Sequence, residues 1–317
     1  MKVLSLFDGI SCARVALERV GIPVELYFAS EIDKYAIQIS EKNYPDIIHV
    51  GDVKMVAHKD APIHYKLNDI DLLIGGSPCQ DLSIAKKDRK GLDGERSSLF
   101  WEYVRILKEV KPKYFILENV ASMPKEAKEI ITRELGVEPI MINASLVSAQ
   151  NRKRLFWTNI PNVTLPEDRG ILLKDILEEE VDEKYKVYSD NWRVERNTVD
   201  VNGKSRCLNA SNYKGALNDG MSLIRVGQIG KGGQGDRIYS PQGKSVGLSA
   251  LGGGRGAKTG LYQTEEYTIR KLTPIECERL QGLPDNYTDG VSNTQRYKCL
   301  GNAFNVDVVA HILSFIK

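Results

Sequence analysis

The first half of the chain alternates short β-rich runs with longer helical ones, and that alternation constrains the fold more than any other feature. KVLSLF, VELYFAS, IIHV, DLLIGG, YFILEN, PIMINA and LFWTNI are the strand candidates. Between them lie stretches such as ARVALERV, YAIQISEKNY and LFWEYVRILKEV, where apolar residues return at three- and four-residue spacing. Strands that alternate with helices pair in parallel through βαβ crossovers. The expectation is a doubly wound, mostly parallel α/β sheet. The regularity fails after Pro161, where an acidic stretch (KDILEEEVDEK) leads into polar sequence. It returns at RKLTPIECERLQGLP, where Thr273, Pro274 and Glu276 are spaced as an N-cap, a first helical residue and a capping-box acid. The amphipathic VDVVAHILSFI at the end predicts a helix packed back onto the sheet. Three parts result: a sheet domain over 1–164, a smaller irregular insert over 165–268, and a segment over 269–317 that completes the first.

Composition sets outer limits. With 42% apolar and 27% charged residues, the 317-residue chain reads as a soluble globular protein. Its net charge of +2 does not announce a nucleic-acid binder, so any basic face must be local. No apolar run approaches the roughly 18 residues of a membrane span. MKVLSLFDG enters a strand pattern directly, without a leader-like segment. The five cysteines are widely spread with no C-x-x-C pair, which argues for a reducing cytosol and against a disulfide framework or structural zinc.

The chemistry-bearing residues gather at predicted strand ends. In LSLFDGISC, Phe7, Asp8 and Gly9 form a strand-to-helix turn of the nucleotide-binding kind, although the full G-x-G-x-x-G is absent. A pyrophosphate needs more glycine for close backbone approach; an adenosine without phosphate does not. Glu31, with Ile32 beside it, ends the next strand, where an acid commonly takes ribose hydroxyls. Asp52 and Val53 follow IIHVG, and Asp52 is placed to accept from an adenine amino group. The plainer alternative is a tight turn with surface acids. Cys79 sits in GGSPCQD directly behind DLLI, an unusual setting for a packing cysteine but a suitable one for a nucleophilic thiolate. Glu118 ends YFILE and brings a carboxyl to the same sheet edge, unless it is only a neighbour of a helix cap. Arg152 and Arg154 alternate in QNRKR and so point to one side of an extended segment. The competing reading is a solvated edge strand. GNAF, residues 301–304, is a turn into the last helix.

The order of these motifs carries more than any one of them. PCQ, ENV, Q-x-R-x-R, R-x-L-T-x-x-E-x-x-R-L-Q-G (Arg270 to Gly282) and GNAF together resemble the cytosine-C5 DNA methyltransferase family, over about residues 1–161 and 268–317. IGGSPCQDLSIAKKDRKGL looks closest to the catalytic domain of the de novo methyltransferases, and a bacterial or phage source is implied. The resemblance implies a Rossmann-like fold with a target-recognition domain, S-adenosylmethionine as cofactor, S-adenosylhomocysteine as product, and no metal. It implies Cys79 as the nucleophile on cytosine C6 and Glu118 as the acid at N3. Arg154, and less directly Arg152, would hold the base and the acid. Phe7, Asp8, Gly9, Glu31, Ile32, Asp52, Val53, Pro78, Leu99, Asn302 and Ala303 match positions around the cofactor. Gln80, Ser83 and Lys86 lie in the loop that closes over DNA. Ser11 departs from the second glycine common in the first turn, and Ala85 replaces a larger residue that fills the vacated base stack in some members.

The implied partner is double-stranded DNA, met by a monomer in the cytoplasm, with a cognate restriction endonuclease as a possible companion. Between Arg225 and Gly260 the insert holds twelve glycines and six Lys/Arg against one acid, Asp236. That local charge suits phosphates, and Arg237 and Arg255 are candidate base readers. A flexible linker is the alternative for this window. For the whole chain the alternatives are a transfer-RNA cytosine methyltransferase and an inactive DNA-binding accessory protein. Amino-group methylation is disfavoured by the absence of an Asp/Asn/Ser-Pro-Pro-aromatic tetrapeptide.

Overall fold

A computed structural model describes residues 1–57, 67, 69–77, 99–182, 185, 225–228, 237–239, 243–246, 261–263 and 269–317. The sheet domain opens with β1 (Lys2–Leu6), α1 (Cys12–Arg19), β2 (Leu26–Ser30), α2 (Lys34–Asn43) and β3 (Ile48–His49). It continues with β4 (Leu72–Gly76), α3 (Leu99–Val110), β5 (Tyr114–Val120), α4 (Lys125–Leu135) and β6 (Ile140–Asn143). β7 (Gln150–Asn151) and β8 (Lys153–Thr158) follow. All seven strand candidates find a place in one seven-stranded sheet, in the order β3-β2-β1-β4-β5-β8-β6.

Strands β1 to β5 pair in parallel, whereas β8 runs antiparallel between β5 and β6. β8 is therefore an interior strand, and the edge-strand reading of QNRKR does not hold. From β1 the chain winds outward to β2 and β3, then returns to place β4 and β5 on the other side. The junction of β1 and β4 is thus the switch point of the sheet, where α/β folds open a crevice at the strand ends.

Central strands buried on both faces read as near-continuous apolar runs: β4 does, and so does β1 apart from the buried Ser5. One face of the sheet carries Val3, Ile74, Ile116, Ile142 and Phe156 beneath helices including α1; the other carries Leu4, Leu73, Leu117, Leu155 and Trp157. The C-terminal segment provides α5 (Pro274–Gln281), α6 (Asn293–Asn302) and α7 (Val306–Leu313). α7 buries Val308, Val309, Ile312 and Leu313 in the first of those layers. α5 begins as expected: Thr273 Oγ1 accepts from Glu276 N at 3.2 Å, Glu276 Oε2 accepts from Thr273 N at 2.8 Å, and Pro274 follows the cap. α4 and α6 lack an equally plain signal in the sequence.

The described strands of the insert are β9 (Arg225–Gln228), β10 (Arg237–Tyr239), β11 (Ser245–Val246), β12 (Leu261–Gln263) and, beyond it, β13 (Ile269–Lys271). Four of them form a small sheet in the order β13-β12-β10-β9. β11 instead pairs in parallel with β7, and Ser245 N donates to Ala149 O at 2.7 Å. The insert is thereby bonded to the segment that leads into Arg152 and Arg154.

Candidate active site

The turn after β1 is shaped by three positive φ angles, at Phe7 (56°), Gly9 (62°) and Ser11 (59°). Glycine tolerates this geometry, whereas each L side chain in it costs on the order of 1–2 kcal/mol. Ser11 is held there by its hydroxyl, which donates to Asp8 Oδ2 at 2.5 Å and also bonds Ser40 Oγ. Tyr27 Oη donates to Asp8 Oδ1 at 2.6 Å. Burial pushes the Asp8 carboxyl above the ordinary carboxylate range, against the opposing pull of these hydrogen bonds. Asp8 therefore borders the cavity but turns its carboxyl inward, as a strut beneath the loop.

A cavity of about 290 Å3 lies over the carboxyl ends of β1, β2, β4 and β5. Phe7, Asp8, Gly9, Glu31, Ile32, Asp52, Val53, Leu99, Asn302 and Ala303 all border it, as the resemblance implied. Ser30, Asp33, Gly76, Cys299, Gly301 and Phe304 border it too and were not singled out from the sequence as cofactor residues. Of these, Gly76 carried a signal as part of GGSPCQD, and Gly301 and Phe304 did as part of GNAF. Glu31 is fixed by backbone donors: Gly9 N reaches Oε2 at 2.9 Å, and Ile32 N and Asp33 N reach Oε1 at 2.7 and 2.8 Å. Three of about four acceptor sites are filled, so Oε2 retains one for a hydroxyl. Asp33 caps α2 and pairs with Lys298 Nζ at 2.5 Å. Burial opposes ionisation of Asp33, but the Lys298 ammonium and the Tyr35 amide outweigh it and hold its carboxyl below the usual range.

At the other end of the cavity stands Glu118, on β5. Arg154, from β8, places Nε 2.7 Å from Glu118 Oε1, and both side chains are largely buried. Arg152 Nη2 donates to the carbonyls of Gly301 and Ala303 at 3.2 and 3.0 Å. The two arginines border the same cavity, one against the acid and the other clamping the turn between α6 and α7. Gly76 is the register partner of Glu118, so Ser77 leaves the sheet directly beside the acid. Asn119 Nδ2 fastens that exit by donating to Ser77 Oγ at 3.1 Å. Pro78, Cys79, Gln80, Ser83, Lys86, Ala85 and Arg255 lie outside the described residues, as does the side chain of Arg237.

The thiols that are described do not suit nucleophilic work. Cys12, Cys277 and Cys299 are buried, and burial pushes all three thiols up, Cys299 to about 12. Among the described residues no His/Cys/Asp/Glu group is arranged to hold a metal, and no helix is long and apolar enough to cross a membrane.

The cavity's chemistry narrows the ligand. Its acidic lining consists of Glu31, Asp33, Asp52 and Glu118, with the Asp8 carboxyl turned inward, together with two arginines already engaged by Glu118 and by backbone carbonyls. Such a wall opposes phosphates and suits a nucleoside that offers hydroxyl and amino donors and a positive charge. Ile32, 74% exposed, presents bare apolar surface at the same place as Phe7, where a purine ring has something to lie on. A sulfonium-bearing adenosine fits this donor set, as the α/β methyltransferases that use S-adenosylmethionine would require.

Comparison with known proteins agrees and goes further: the chain belongs to the C-5 cytosine-specific DNA methylase family, which matches residues 1–317. It is 32% identical to the type II methyltransferase M.HhaI of Haemophilus parahaemolyticus, over 98% of this chain and 93% of that protein. It is 28% identical to the orphan methyltransferase M.SPRI of Bacillus phage SPR, over 98% and 96% of the two chains. Among solved structures, the Dnmt2 methyltransferase of S. pombe superposes with a TM-score of 0.66 at 19% identity, covering 99% of this chain and 97% of that one. The Entamoeba histolytica methyltransferase EhMeth gives 0.68 at 18% identity, with the same coverage. These last likenesses concern the fold. The protein is a cytosine-C5 methyltransferase dependent on S-adenosylmethionine.

Proposed function

We propose that the protein methylates C5 of a flipped-out cytosine in duplex DNA through a transient bond between Cys79 Sγ and cytosine C6. The observation that carries this reading is the Glu118–Arg154 pair, set at one end of the cavity beside the strand end that leads to Cys79. Cytosine C5 is a poor nucleophile while the ring is aromatic. Addition of the Cys79 thiolate to C6 breaks that aromaticity and drives electron density to N3, where Glu118 delivers a proton. Arg154 holds Glu118 and, with Arg152, the base. C5 then has the reactivity of an enamine carbon. S-adenosylmethionine, when bound, supplies an electrophilic sulfonium methyl group. Loss of the C5 proton to solvent, expulsion of Cys79 and return of the N3 proton to Glu118 restore the ring.

A stacked cytosine cannot present C6, so the target leaves the helix at a cost of a few kcal/mol. Gln80, Ser83 and Lys86 are assigned to the loop that covers it. Residues 1–164 and 269–317 form the catalytic unit and 165–268 the recognition domain, with Arg237 and Arg255 as base readers. No metal enters the scheme. The enzyme acts as a cytoplasmic monomer, and the type II name of its relative M.HhaI makes a cognate restriction endonuclease a reasonable companion.

The test is transfer of labelled methyl groups from S-adenosylmethionine to duplex DNA and, separately, to transfer RNA. Label at cytosine C5 of duplex DNA is expected. Label confined to transfer RNA would make this an RNA enzyme, and no label on either would leave a DNA-binding accessory protein.

A further inference from the structure

Gly76 and Glu118 are register partners on adjacent parallel strands, so their side-chain directions share one face of the sheet. A Cβ built on Gly76 would stand 2.8 Å from Phe304 Cε1 and 3.1 Å from Glu118 Oε2. Gly76 is not among the glycines with positive φ. Space, rather than backbone freedom, requires glycine here: the ring of Phe304 and one carboxylate oxygen occupy the room that a side chain would take.

Phe304 is delivered to this spot by the turn that Arg152 clamps through the carbonyls of Gly301 and Ala303. It borders the main cavity and also a second void of about 10 Å3, bounded in part by Glu118, Arg152 and Arg154. Glu118 is thus bracketed. Arg154 stands 2.7 Å from Oε1, and Oε2 and the Phe304 ring share the space above Gly76.

We propose that Gly76 and Phe304 are positioning residues for Glu118: the ring seated on the glycine fixes the carboxyl so that Oε2, the oxygen that lies over Gly76, carries the proton to cytosine N3. The proposal rests on the reading of Glu118 as the acid of the reaction. Filling the space at Gly76 displaces the carboxyl by tenths of an ångström or more, and a misplacement near 1 Å costs about 10²-fold in rate.

The experiment is a mutant cycle of Gly76→Ala and Phe304→Leu, singly and together, on the wild-type and Glu118→Gln backgrounds. The single-turnover methylation rate, S-adenosylhomocysteine affinity and the unfolding midpoint are read for each. Gly76→Ala is expected to lower the rate by up to about 100-fold without a matching loss of affinity. Phe304→Leu is the milder variant and lowers the rate less. In the double variant the smaller side chain relieves the clash, so the rate rises above that of Gly76→Ala alone, a non-additivity expected only of residues in contact. In the Glu118→Gln background, Gly76→Ala adds little. Additive losses, or a Gly76→Ala effect that is undiminished in the Glu118→Gln background, would overturn the proposal while leaving Glu118 as the acid. A wild-type rate for Glu118→Gln alone would instead remove the acid assignment, and this proposal with it.

Discussion

Ser11 stands where the first turn of the family commonly has glycine, and two substitutions there separate the two costs of that choice. The residue sits at φ 59°, ψ 35°, and its hydroxyl is bonded to Asp8 and Ser40 in a fully buried setting. Ser11→Ala keeps the left-handed strain and deletes the hydroxyl. Removing one partner of a buried hydrogen bond leaves the other unsatisfied at about 1–3 kcal/mol, so a loss of that order is expected. Ser11→Gly deletes the same hydroxyl but releases the strain, about 1–2 kcal/mol. Glycine gives back about 0.5–1 kcal/mol through its freer unfolded chain. The Gly variant should therefore be the more stable of the two by about 0.5–1 kcal/mol, yet less stable than wild type. Urea unfolding of the three proteins at one pH measures the ordering through their midpoints. An Ala variant as stable as the Gly variant would show that position 11 carries no strain, and a Gly variant above wild type would show that the hydroxyl contributes nothing.

Asp8 gives stability a pH dependence of defined sign. Its carboxyl is pushed up by burial, so the folded protein binds a proton that the unfolded chain has released. Its contribution is fully present below the unfolded value of 3.8 and declines as pH rises towards the raised folded value. Asp8→Asn should flatten that decline in urea titrations carried from about pH 4 to neutrality, and an unchanged slope would contradict it. Native alkylation at neutral pH should spare Cys12, Cys277 and Cys299, whose thiols are buried and raised; peptide mapping that finds them modified before unfolding would contradict the packing. Arg237→Ala and Arg255→Ala should each relax one position of the target site, at about 1–3 kcal/mol of discrimination, when methylation is profiled over random duplexes. A uniform loss over all sequences would mark a phosphate contact instead.

The sheet was legible because its strands are buried and its helices amphipathic. Every one of the seven strand candidates lies in it, and the cavity residues named from strand ends border one cavity. The direction of β8 was not legible, since an apolar run such as LFWTNI reads the same either way. Its interior position matters, because it turns Arg154 towards the acid rather than to solvent. The role of Arg152 as a clamp on Gly301 and Ala303 was hidden because its partners are backbone atoms about 150 positions away. Asp33 caps α2, and nothing in the local sequence tells that it also borders the cavity. Gly76 and Phe304 meet only in space. A sequence shows two glycines after a strand but not which of them leaves room for a ring.

Attack of Cys79 on cytosine C6 can be trapped with a duplex carrying 5-fluorocytosine. Fluorine at C5 cannot leave as a proton, so the reaction halts after methylation with the base still bonded to sulfur. Incubation with S-adenosylmethionine should yield a denaturant-resistant protein–DNA complex whose digest places the nucleotide on the peptide containing Cys79, and Cys79→Ser should yield none while still binding DNA. Methylation of ordinary duplex DNA by Cys79→Ser at the wild-type rate, or a cross-link at another residue, would contradict the account.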